Sequence, residues 1–201
     1  MVIRRRILAA SLACVLVCAG ADLAWAQGTP PPKAVTRGVA AEPKLPAPVV
    51  AGAEPTLIGQ FGTWGAYSAT PNGRRVCFAL AKPSTSKTNP PNRPRDPAYA
   101  FVATRPAEKV FNEVSVMIGY ALKPGSESTL EVGGGSYAMY TQGDGIWIKN
   151  AAEEERLVEA LRRSADVTIK AVSAKGTETV DVFSLKGLSQ ALDRIGTDCR
   201  R

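Results

Sequence analysis

Short, largely apolar runs at 61–68, 76–81, 99–104 and 113–120 are rich in aromatic or β-branched side chains, and each is bounded by Gly, Pro or Asn. Such runs predict β-strands. Residues 136–142 and 146–149 flank Gly143-Asp144-Gly145, and Asp-Gly supplies the positive φ angles that a tight hairpin demands. Two further strands are predicted at 167–172 and 179–183. Ahead of them the period changes. Leu157, Val158, Leu161 and Ala165 recur at helical spacing behind a capping Asn150. Glu153, Glu154 and Glu155 suit the positive end of that helix, and Arg162 and Arg163 its negative end. Read this way, the three glutamates form a solvated first turn. A terminal helix is expected from the cap Ser184, burying Leu185, Leu188, Leu192 and Ile195 and stopping at Gly196. The pattern predicts a mainly β fold of about eight or nine strands, a single antiparallel β-sandwich or incomplete barrel-like domain with two short helices. That domain spans residues 56–201.

The N-terminus carries a different pattern. Arg4, Arg5 and Arg6 precede an uncharged apolar run at 7–21, and Ala24-Trp25-Ala26 then presents small residues around a bulky one. Residues 1–26 therefore read as a secretory signal peptide cleaved after Ala26. The apolar run is shorter than the about 20 residues a bilayer span requires, so no transmembrane span is expected after cleavage. Residues 27–55 hold seven of the fifteen prolines and no aromatic residue. They read as a semi-rigid, extended Pro/Ala-rich linker. The expected location is the periplasm or the outer envelope and exterior.

Export changes the meaning of the composition. The chain has 25 Lys+Arg, 18 Asp+Glu and a net charge of +7, and loss of three arginines and Asp22 with the signal leaves +5. Nucleic acid is excluded as a partner by compartment, and anionic envelope or host-surface polymers take its place. Of four cysteines, Cys14 and Cys18 leave with the signal. The remaining pair, Cys77 and Cys199, reads as one disulfide in an oxidising compartment. There is no histidine, which removes Ser-His-Asp and Cys-His catalysis and histidine-based zinc sites.

Single carboxylates at Asp96, Glu108, Glu113, Asp144, Asp166 and Asp181 are the remaining material for acid/base chemistry. No catalytic residue, metal site or cofactor is assigned. The Gly133-Gly134-Gly135 run lacks the Lys-Ser/Thr continuation of a phosphate loop and reads as a strand connection. Trp64, Tyr67, Tyr99, Phe101, Tyr137, Tyr140 and Trp147 all fall on predicted strands, where aromatic residues build cores or glycan-stacking platforms. Charge is concentrated: Arg74, Arg75, Lys82, Lys87, Arg93, Arg95, Arg105 and Lys109 face only Asp96 and Glu108 within residues 74–109. Proline-rich residues 82–97 are expected as an exposed loop, and the eight cations as an anion-binding surface.

Phe61-Gly62-x-Trp64, the Val76-Cys77-Phe78-Ala79-Leu80 strand and Ala98-Tyr99-Ala100-Phe101-Val102 resemble the invasion-associated locus B proteins of alphaproteobacteria. Arg105-Pro106-Ala107-Glu108, Asn112-Glu113-Val114-Ser115, Gly119-Tyr120, Phe183-Ser184-Leu185-Lys186-Gly187-Leu188, Ala191-Leu192 and Cys199 extend the likeness. Many members carry a cysteine shortly after the tryptophan, where this chain has Tyr67 and Ser68. The resemblance implies an exported, β-rich envelope protein of a family named for host-cell invasion. It implies non-enzymatic surface or periplasmic interactions, with no catalytic residues to transfer. The alternative is a periplasmic enzyme or small-ligand carrier using carboxylates or an aromatic-lined cleft.

Overall fold

The computed structural model describes residues 53–200. The expected signal peptide and all but the last residues of the linker lie outside the described residues. The described chain forms eleven strands: β1 (Thr56–Phe61), β2 (Trp64–Ala69), β3 (Val76–Ala81), β4 (Thr85–Asn89), β5 (Tyr99–Arg105), β6 (Val110–Met117), β7 (Glu127–Val132), β8 (Gly135–Gln142), β9 (Gly145–Ile148), β10 (Asp166–Val172) and β11 (Glu178–Ser184). Two helices complete it, α1 (Glu154–Arg163) and α2 (Leu188–Asp198). All strands pair antiparallel in one sheet of order β1-β2-β3-β5-β6-β9-β8-β7-β10-β11-β4. The fold is mainly β and the sheet is not closed, in keeping with the expected incomplete barrel.

Alternation decides the inner face. Cys77, Ala79 and Ala81 on β3, Ala100 and Val102 on β5, and Val114 and Val116 on β6 join Leu130, Ile146, Ile169 and Phe183 in one core. Leu157 and Leu161 of α1 and Leu188, Leu192 and Ile195 of α2 complete it. The small inward side chains on β2, β3 and β5 leave room for α2, which packs on those strands. The two ends of the sheet approach one another through the β1–β2 turn. Trp64 Nε1 donates to the Ser184 carbonyl at 2.9 Å. Gly62 and Gly187 both have positive φ, and a Cβ on Gly187 would lie 1.9 Å from the Phe61 carbonyl oxygen. Only a residue without a side chain permits that approach.

The structure corrects several sequence expectations. Residues 82–97 are not a continuous loop, because β4 forms the sheet edge and pairs with β11 from Glu178↔Asn89 to Val182↔Thr85. The strands β1 and β7 also fall where no strand was expected. The terminal helix starts at Leu188 rather than Ser184, which is still in β11, and it runs through Gly196. Its last turn is held by Arg75, which donates to the Asp198 carbonyl at 2.9 Å, and by Cys199. The disulfide Cys77–Cys199 is formed, with Cα atoms 5.9 Å apart across a separation of 122 residues. Asn150 caps as expected, accepting from the Ala152 N–H at 3.2 Å.

Candidate anion-binding cleft

The eight basic residues of the 74–109 segment do not share one face. β3 and β5 pair with Cys77 opposite Thr104 and Ala81 opposite Ala100. Arg74 and Arg75 therefore lie with Arg105 and Lys109 at one end of the strands, and Lys82, Lys87, Arg93 and Arg95 belong to the connection at the other. At the first end Arg105 and Arg75 are paired with carboxylates. Arg105 forks onto Glu113 at 2.9 and 3.0 Å and reaches Glu108 at 2.7 Å, contacts that raise its affinity for the proton further. Arg75 lies beside Asp198.

Arg95 is the largest departure from the expected surface. Its side chain is 10% exposed, and Asp181, its partner, is fully buried. Asp181 points inward from the middle of β11, between Thr179 and Phe183. Arg95 Nη1 donates to Asp181 Oδ2 at 2.8 Å and to the Ile118 carbonyl at 2.8 Å, while Nη2 and Ser86 Oγ close on Oδ1. The guanidinium also faces the Tyr120 ring 6.0 Å away, and the Tyr120 hydroxyl pairs with Thr179 Oγ1. Burial raises the Tyr120 phenol above its usual range, against the opposing pull of Thr179 and Arg95, so it is a neutral hydrogen-bonding group. Arg95 thus ties the β4–β5 connection to β11 and to the end of β6, and is not available to a polyanion.

Outside this plug lies a cleft of about 710 Å³, lined by Pro90, Arg93, Pro94, Tyr120, Ser173, Lys175 and Thr177 together with two alanines. A smaller hollow of about 460 Å³ holds Lys87 and shares Arg93 with it. Among the described residues, these linings carry cations and hydroxyls and no carboxylate. Lys175, on the β10–β11 turn, escaped the sequence reading because it lies far along the chain from the basic segment. The turn is fixed by Ser173, whose Oγ accepts from the Thr177 N–H at 2.9 Å. Lys82 instead covers the Tyr99 ring at 5.6 Å.

The carboxylates do not assemble a comparable site. Glu113 is held in the Arg105 fork, and half-buried Glu154 accepts the Val114 N–H at 2.8 Å, so the first turn of α1 is not wholly solvated. Gly133 and Gly134 form the β7–β8 turn and Gly135 opens β8, beside Glu131 and Asp166, a setting that repels phosphate. Among the described residues no group of His, Cys, Asp and Glu is placed to hold a metal ion, and no helix is long and apolar enough to cross a membrane.

No curated protein and no solved structure matches the chain significantly. The strands β2 to β11, the cleft and all but the last two residues of α2 fall in the region that a family model covers. Residues 64–196 match the model described as invasion associated locus B (IalB) protein, and the chain belongs to that family.

Proposed function

We propose that this protein is an exported, non-enzymatic cell-envelope protein that acts by binding anionic polymers of the envelope or of a host surface. One observation carries the reading: a cleft whose lining pairs Arg93 and Lys175 with a neutral Tyr120, two prolines and hydroxyl groups, with no carboxylate among its described residues. Cations oppose sulfate, phosphate or uronate groups, the ring and prolines offer apolar surface to a sugar face, and hydroxyls supply hydrogen bonds. Family membership supports export and interaction with surfaces rather than chemistry on a substrate.

The test is binding of the mature protein to heparin fragments and to lipopolysaccharide across a salt series. Affinity is expected to fall as salt rises, because screening shortens the reach of exposed charges to about 8 Å at physiological ionic strength. Replacing Lys87, Arg93 and Lys175 by Ser, with Arg95 left in place, should weaken binding by about tenfold or more, the equivalent of about 1.4 kcal/mol. Unchanged affinity in the triple variant, or no binding by the parent at low salt, overturns the reading.

A further inference from the structure

The C-terminal end of α2 carries a second concentration of positive charge, assembled by the disulfide rather than by order along the chain. Arg74 and Arg75 shortly precede Cys77, and Arg200 directly follows Cys199, its bonded partner. Arg75 lies 3.7 Å from the Asp198 carboxylate, and Arg194, one turn earlier on α2, reaches the same group at 3.9 Å. Arg200 folds back over the helix end, with Nη2 3.7 Å from where a Cβ on Gly196 would stand. All four arginines are exposed, whereas the Asp198 side chain is only 14% exposed. Carboxylates on neighbouring elements are already engaged, Glu108 and Glu113 by Arg105 and Asp193 by Arg162. Among the described residues, neither Arg74 nor Arg200 has an ion-pair partner, so one partly buried carboxylate answers four guanidinium groups.

Holding the helix end accounts for part of this charge. Arg75 alone donates to the Asp198 carbonyl and meets its carboxylate, and the Cys199 N–H closes on the Ile195 carbonyl. Arg74, Arg194 and Arg200 exceed that need. Arg194 and Arg200 stand about 9 Å apart along a helix, so the cluster is about one screening length wide at physiological salt and its charges act together. We infer that this arginine cluster is a docking surface for anionic phospholipid headgroups, separate from the cleft. Charge complementarity carries the assignment. Planar guanidinium groups bind phosphate through paired N–H donors, and several of them around an open helix end suit many phosphates presented in a plane. The cleft instead sets Arg93 and Lys175 beside Tyr120 and hydroxyl groups, a lining for single units of a polymer. The register of β3 and β5 puts that cleft at the opposite end of the strands. Docking through α2 therefore turns the cleft away from the membrane.

The test is cosedimentation of the mature protein with phosphatidylcholine vesicles that contain or lack phosphatidylglycerol, at low and at physiological salt. Binding is expected only with phosphatidylglycerol and should weaken as salt rises. Replacing Arg74, Arg194 and Arg200 together by Ser, with Arg75 left to hold the helix end, should weaken it by about tenfold or more at a parental melting temperature. Arg74→Ser and Arg200→Ser, which break no ion pair, should each weaken it several-fold, so the test does not depend on the stability of the triple variant. The cleft variant, with Lys87, Arg93 and Lys175 replaced by Ser, should bind vesicles as the parent does. Inorganic phosphate should displace the protein no better than chloride at equal ionic strength. Equal binding to both vesicle types, no binding at low salt, or parental binding by the arginine variants overturns the inference. So does an equal loss in the cleft variant, or displacement specific to phosphate. Heparin affinity is not a readout here, so the outcome is independent of the proposed function.

Discussion

Arg95 shows what a single residue's place in the chain conceals. By position it belongs to a proline-rich basic segment and reads as one of eight surface cations. In the fold it meets Asp181, 86 residues away, at a site where the aspartate is fully buried. A charge taken out of water at that depth is tolerable only when paired and hydrogen-bonded, and Arg95 satisfies both carboxylate oxygens of Asp181. Removing one partner leaves the other uncompensated. Arg95→Ala is therefore expected to destabilise the protein by about 3–5 kcal/mol, whereas the paired apolar replacement Arg95→Met with Asp181→Leu should recover much of that loss. Chemical denaturation of the three variants checks this, and a single variant with parental stability would show that the pair holds nothing together. Lys175 is the converse case. It carries cleft charge, but nothing near it in sequence distinguishes it from other turn lysines.

At the scale of elements, strands with inward apolar residues and clear punctuation were legible. Residues 76–81 match β3 at both ends, and the Asp-Gly hairpin joins β8 to β9. The missed strands lack those signals. β4, Thr-Ser-Lys-Thr-Asn, has no apolar residue because it is an edge strand whose outer side faces water, and polar edges protect a sheet from pairing with other chains. β7 hides its alternation behind an inward Ser128, and β1 carries a glycine where its register shifts. The cleft was less legible still, because it forms where the β4–β5 connection and the β10–β11 turn meet. Contacts between elements are equally invisible in sequence, as Glu154 shows. Its carboxylate, at the start of α1, accepts a β6 N–H, and burial raises its pKa, reinforced by Glu113 and opposed by the Val114 hydrogen bond and Arg105. A raised folded-state value means that ionised Glu154 weakens the fold above that pKa, a cost that vanishes as pH falls below the unfolded value near about 4.3. Glu154→Gln keeps an acceptor for Val114 and cannot ionise. It is expected to melt above the parent at neutral pH, with the gap closing in acid. Melting curves across pH check this, and a gap that widens on acidification contradicts it.

For the whole molecule, the decisive connection is the disulfide, because the sheet itself is open. Hydrogen bonding joins each strand to the next, and among the described residues β1 and β4 are the two edges. α2 reaches back across β1, β2 and β3, and Cys199 at its end is bonded to Cys77 near the start of β3. Both sulfurs lie in the inner core, with Cys77 fully buried. The bond therefore fixes the last helix over the first strands, where the inward alanines leave space for it. A cross-link across 122 residues removes more disorder from the unfolded chain than a short loop would, and such bonds typically contribute about 2–4 kcal/mol. For a chain of this size that corresponds to about 5–15 °C in melting temperature. Replacing both cysteines by Ala should lower the melting temperature by that amount while leaving the strand content intact. The same bond reports on compartment. Cys14 and Cys18 lie upstream of the expected cleavage site, so the exported chain should carry two cysteines, both oxidised. Protein recovered from the periplasm, denatured and alkylated without reductant, should show the intact mass of an unlabelled chain beginning at Gln27. Two labelled thiols on that chain would mean that the fold closes without the bond, and a mass that still includes residues 1–26 would mean that the signal is retained.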